Sequence, residues 1–148
     1  MLENAIQACP DAGWGRGSGN FEFWYIAFHT LFFLDFYSGP ADGFAPPAPF
    51  SLTELDPAGQ MPERVYTKEE LRNYLVYGRE KCRAALLALT EEQALTRYRV
   101  AWLDISMAEL FLYTMRHVQH HSAQLNLILR QTGGSVPRYV KFGATKLY

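Results

Sequence analysis

Apolar positions recur at three- and four-residue intervals along most of the chain, a 3.6-residue period that predicts helices throughout. Residues 1–9 predict a short first helix, ended by Pro10 and the glycine-rich segment Gly13 to Gly19. The most apolar run, Phe21 to Tyr37, predicts a second helix with Asn20 as its N-cap and Ser38-Gly39-Pro40 as its stop. The third opens with the capping box Thr67-Lys-Glu-Glu70 and carries Leu71, Leu75, Gly78, Cys82, Ala85 and Leu89 on one stripe, the pattern of a bundle seam. Thr90-Glu-Glu-Gln93 introduces a short helical turn, and a further capping box, Ser106-Met-Ala-Glu109, opens the longest helix, which ends near Gln131 before Gly133-Gly134. No stretch shows the alternation of a half-buried strand, and Ser135 to Tyr148 reads as an irregular tail. The predicted fold class is all-α, a helix bundle.

The connection from Gly39 to Tyr66 contains six prolines and is far longer than the loops of about 2–8 residues that join antiparallel neighbours in bundles. A helix of the second segment's length spans roughly 26 Å at 1.5 Å per residue, whereas this segment could stretch to about 90 Å. It can therefore serve as a crossover that lets the second and third helices run parallel. Ser51-Leu-Thr-Glu54 could cap one helical turn inside it.

With 148 residues, the chain is expected to form one domain, 1–148, with a core that needs no disulfide framework. A formal net charge of -1 with scattered Lys and Arg argues against a nucleic-acid surface. The Phe21–Tyr37 run contains Glu22, His29 and Asp35 and falls short of the roughly 20 residues of a membrane span. There is no basic region followed by an apolar run at the N-terminus, so no signal peptide is expected. Cys9 and Cys82 are too few and too far apart for a disulfide framework, which favours a reducing compartment, the cytoplasm.

Candidate chemistry concentrates in the histidines. His117 and His121 stand four residues apart in the last helix, where Cβ atoms roughly 5–6 Å apart let two imidazoles converge on one ion. They share the stripe of Leu110 and Ile128, whereas Arg116, Gln119, His120, Ala123, Asn126 and Arg130 gather on a polar side. His120 therefore reads as a solvated or interface side chain. His29 falls on an aromatic face with Glu22, Tyr25, Ile26, Phe33 and Phe36, where an unpaired imidazole is costly to bury. The three together suggest one metal site in a bundle core. It is not a zincin, because Val118 occupies the place where that motif has its Glu. Neither cysteine has a motif that would make it a nucleophile, and Cys82 reads as a packing residue on the third helix.

These features resemble the DinB superfamily, four-helix-bundle metal-binding proteins related to thiol-dependent S-transferases. The resemblance is carried by His29 in an aromatic second helix, the long connection after it, and His117-x-x-x-His121-x-x-Gln124 followed by Leu-x-x-x-Leu-Arg-Gln-x-Gly. It implies an up-down-down-up bundle in which His29, His117 and His121 bind one divalent metal, zinc, nickel or iron, at one end. It also implies a homodimer, for which Leu112 and Leu127 on the last helix's polar side are candidate contacts. Only about nine residues precede Pro10 where the family has a complete first helix, so that helix reads as truncated: either the chain begins late, or a neighbouring subunit or the tail covers the surface a longer helix would bury.

Three neutral imidazoles leave a divalent ion open to water or substrate, able to lower the pKa of water or to hold a thiol as thiolate. Since neither cysteine lies near the motif, such a thiol would be a low-molecular-weight cosubstrate. Tyr113, one turn before His117, and Gln124, three residues after His121, share the site's face and are candidates for orienting water or substrate. Glu22 is a candidate acid or base, or an N-terminal helix charge. The expectation is a metal-dependent enzyme that transfers or hydrolyses a small molecule. The alternatives are a noncatalytic metal- or ligand-binding, stress-associated protein and a helical domain whose histidines are hydrogen-bonded core groups.

Overall fold

A computed structural model describes residues 1–16 and 22–141. In chain order it contains α1 (Leu2–Ala8), α2 (Asp11–Trp14), α3 (Phe23–Phe36), a 3-10 turn (Thr53–Leu55), α4 (Lys68–Ala88), α5 (Glu91–Leu95), β1 (Arg97–Val100), β2 (Leu103–Ser106) and α6 (Met107–Gln131). The fold is mainly helical, as the periodicity predicts. The expected N-cap Asn20 lies outside the described residues, and Glu22 occupies the N-cap position of α3. Of the tail, 135–141 is irregular and the remainder lies outside the described residues.

The helix ends follow from local chemistry. Thr67 with Glu70, Thr90 with Gln93 and Ser106 with Glu109 each form a reciprocal capping box, satisfying backbone donors that the first turn leaves free. At the far end of α6, Gly134 N–H donates to the Leu129 carbonyl at 2.8 Å and Gly133 N–H to that of Arg130 at 3.3 Å. This closing turn needs the left-handed backbone that Gly133 adopts at φ 75°.

Helix α3 is apolar on every side because it is enclosed on every side. Ten of its fourteen residues are buried, among them Phe23, Phe28, Leu31 and Phe32, and it packs against both α4 and α6. Its buried polar groups are satisfied: Thr30 donates to the Ile26 carbonyl at 2.6 Å, and Asp35 accepts from Tyr74 and Lys81 of α4. On α4, Leu71, Tyr74, Leu75 and Gly78 are buried. A Cβ at Gly78 would stand 3.4 Å from Leu34, so glycine there permits the close approach of α3 and α4. Further along the expected seam Cys82, Ala85 and Leu89 are only half-buried, so the seam loosens toward the end of α4.

The proline-rich connection is held down by aromatic rings. Phe44 packs on Phe32 and Phe36, Phe50 stacks on Tyr74 at 4.2 Å between centroids, and Tyr66 meets Trp24 and Phe28. Trp14 of α2 adds an indole N–H bond to the Tyr66 carbonyl at 2.8 Å. The 3-10 turn at Thr53–Leu55 lies where a helical turn was expected, but Ser51 does not cap it: the Ser51 hydroxyl pairs with that of Thr53 at 2.9 Å.

The expectation of helical structure throughout is corrected by an antiparallel hairpin, β1 with β2, in which Arg97 pairs with Ser106 and Val100 with Leu103. Packing holds it where local turn chemistry does not. Tyr98 is buried, and Trp102 in the turn stacks on Phe36 and donates its indole N–H to the Tyr37 hydroxyl at 3.1 Å. Among the described residues no helix is long and apolar enough to cross a membrane.

Candidate metal centre

Helix α3 presents His29, and α6 presents His117 and His121 one turn apart, so that the three rings converge where the two helices pack. His117 Nε2 lies 3.3 Å from His29 Nε2 and 3.1 Å from His121 Nε2. The three candidate ligand nitrogens all lie within 4.8 Å of one another. His120 is exposed, its ring 5.0 Å from that of His121 and outside the cluster, as its polar-side position implies.

The outer nitrogens determine what the inner ones can do. His29 Nδ1 stands 2.6 Å from Glu54 Oε2, and because a carboxylate oxygen accepts, Nδ1 carries the hydrogen. His121 Nδ1 likewise donates to Gln124 Oε1 at 2.6 Å. In its neutral form each of these rings therefore turns a bare Nε2 lone pair inward. A hydrogen on His117 Nε2 could serve only one of them, leaving the other lone pair facing a neighbour at van der Waals range or closer. A cation shared by all three nitrogens resolves the conflict. Nitrogens bound tetrahedrally at about 2.0–2.1 Å stand about 3.3–3.4 Å apart, close to the spacings seen here. The donor set fits a divalent metal.

Electrostatics favour the ligating form. Burial, reinforced by the other histidines, pushes His117 down to about 3, and burial also lowers His121 against the opposing hydrogen bond from Gln124. His117 Nδ1 is buried and has no hydrogen-bond partner among the described residues. Tyr25 lies tilted against His29 with 6.4 Å between ring centroids, and burial together with the Glu54 carboxylate raises its phenol above the usual range, so the hydroxyl keeps its proton.

The candidate orienting residues divide. Gln124 is at the site, holding His121. Tyr113 is half-buried and packs edge-on against Tyr37 at 5.4 Å; Tyr37 stacks on Phe33, whose ring touches His29 and His117. Glu22 is engaged elsewhere, its Oε2 accepting from the Trp24 indole at 2.6 Å. The carboxylate that does meet the centre, Glu54, was not singled out by sequence. Its one sequence signal is its place in a short capping pattern, and nothing periodic ties it to a histidine 25 residues earlier. Cys9 is buried, which raises its thiol to about 11 and leaves it protonated and inert.

A mainly helical protein with three histidines converging from two helices fits the class of helical metal-binding proteins. The DinB family profile matches residues 24–142, and the chain belongs to the DinB family. No curated protein and no solved structure matches it at a significant level.

Proposed function

We propose that this chain is a metal-dependent enzyme of the DinB type, holding one divalent ion through His29, His117 and His121 and acting on a small molecule by thiol-dependent transfer or hydrolysis. The observation that carries this reading is the convergence of three Nε2 atoms with two of the outer nitrogens tied to Glu54 and Gln124. When bound, zinc, nickel or iron would supply a Lewis acid able to stabilise an anion such as a thiolate. The chain's own part is to orient the three rings, to hold His117 and His121 neutral by burial, and to wall the site with Phe33 and Tyr25. Among the described residues neither Cys9 nor Cys82 joins the histidine cluster, which supports a low-molecular-weight cosubstrate as the source of the thiol.

The fold reading that accompanies this is one up-down-down-up four-helix domain of α1, α3, α4 and α6. It is supported by two contacts: Lys68 at the start of α4 lies over the ring of Trp14, which packs on Phe23 at the start of α3, and Lys81 further along pairs with Asp35 near the end of α3. A homodimer is the proposed assembly, with exposed Leu112 and Leu127 as contacts. The proposed compartment is the cytoplasm, supported by the two free cysteines.

One observation favours noncatalytic binding instead. Glu22 is engaged by Trp24, and Glu54 lies on the far side of the His29 ring from Nε2, which leaves the histidine cluster without an adjacent free carboxylate base among the described residues. A screen of metal-loaded protein with small thiols and electrophiles decides between the two. Metal-dependent turnover that disappears in His117→Ala/His121→Ala supports the enzyme, and saturable binding without product supports the binding protein.

A further inference from the structure

The 3-10 turn of the connection packs Leu55 against the core and meets the polar groups of α3 through Glu54. Residues 52–56 make local hydrogen bonds, such as Leu55 N–H to the Leu52 carbonyl at 3.0 Å, and reach α3 through the Glu54 carboxylate, which accepts from His29 and lies close enough to the Tyr25 phenol to raise it. The aromatic anchors Phe44 and Phe50 lie to one side of the turn in sequence. The turn itself borders a depression of about 450 Å³ lined by Phe44, Leu52, Thr53, Leu55 and Asp56, and Leu52 is 47% exposed. Yet the Glu54 side chain is only 4% exposed, and its Oε1 is buried without a hydrogen-bond partner among the described residues. A carboxylate placed so, in a turn whose one apolar anchor is the half-buried Leu55, is costly to bury unless a positive charge stands nearby. No Lys or Arg is paired with it.

We propose that Glu54 is a positioning residue of the metal centre: by accepting from His29 Nδ1 it raises metal affinity, and in return metal binding at Nε2 fixes the Thr53–Leu55 turn on the bundle. This rests on the metal-binding reading above. The cause is polarisation. A cation on Nε2 draws electron density from the ring and makes Nδ1–H a stronger donor, while the carboxylate makes the imidazole a better ligand and offsets part of the ion's charge. Because the two effects are one coupling free energy, they must be equal and reciprocal.

The test measures both sides of that coupling in wild type, Glu54→Ala and Glu54→Gln. Zinc affinity is measured by chelator competition, and amide hydrogen exchange of residues 51–57 is followed with and without zinc. Glu54→Ala is expected to lose about 10- to 100-fold in affinity and to lose the zinc-induced protection of the turn. Glu54→Gln, which keeps an acceptor but not the charge, is expected to fall between the two, a rescue that a merely packing role would not give. If Glu54→Ala fails to fold, the Gln variant carries the test through its affinity. Affinity within twofold of wild type in the folded variants, or a turn whose exchange ignores zinc in the wild type, overturns the coupling and leaves the metal centre standing. A wild type that takes up no zinc, nickel, iron or cobalt overturns the metal-binding reading and this inference with it.

Discussion

The hydroxyl of Tyr74 on α4 donates to Oδ2 of Asp35 on α3 at 2.9 Å, and the other oxygen of that fully buried carboxylate meets the Lys81 ammonium. Burial and the Asp35 charge hold the Tyr74 phenol above its usual range, so it remains a donor. Lys81→Met leaves a buried carboxylate with one neutral partner and is expected to cost about 3 kcal/mol in urea unfolding. Tyr74→Phe removes one of two partners and is expected to cost about 1–2 kcal/mol. The reverse order would show that the ion pair is not what stabilises Asp35.

His117 and His121 make the metal-free protein acid-sensitive. His117 titrates near 6.5 when unfolded and at about 3 when folded. Above 6.5 both states are neutral and the group contributes no pH dependence. Below it the unfolded chain takes up the proton first, so stability falls as pH drops from 6.5 toward 3, by at most about 1.4 kcal/mol per pH unit for this group. His121 acts in the same direction. Chelator-treated wild type should lose stability between pH 7.5 and 5, measured by urea unfolding, and His117→Gln should show a shallower dependence. Equal slopes would contradict the assignment.

Gln124 holds His121 from the solvent side, where its own exposure weakens the bond relative to the half-buried one at His29. Gln124→Leu should lower zinc affinity about 10-fold, toward the low end for a partner behind a ligand, with little change in melting temperature of the metal-free protein. An unchanged affinity would reduce Gln124 to a surface residue.

Cys9 should resist alkylation by iodoacetamide at pH 8 in folded protein, because it is buried and its thiol stays protonated to about pH 11. It should react once the chain is unfolded in urea. Modification of Cys9 in the folded state, located by peptide mass spectrometry, would contradict this.

What the chain states locally could be read from it. Thr67, Thr90 and Ser106 with their partners three residues on mark three helix starts, and Gly133 marks an end, because caps are settled within one turn of backbone. The meeting of His117 with His121 follows from helical spacing, and that of His29 with them from the need to satisfy a polar ring on an aromatic face. The hairpin escaped because its strands have four residues each and its turn, Ala101-Trp102, lacks the Gly or Asn of a positive-φ turn. It is held by Tyr98 and Trp102 against α3 and the residue after it, contacts made across more than sixty residues of chain. Glu54 escaped for the same reason: tertiary packing of Phe44, Phe50 and Tyr66, not local pattern, brings its turn to His29.

The most direct test of the centre is elemental analysis by mass spectrometry of tag-free protein purified without a metal column, beside His117→Ala/His121→Ala prepared in the same way. About one zinc, nickel or iron per chain in the wild type and none in the variant is the expected result. No metal in the wild type, even after reconstitution with zinc, nickel, iron and manganese, would contradict it and leave the three imidazoles as core groups of a helical domain.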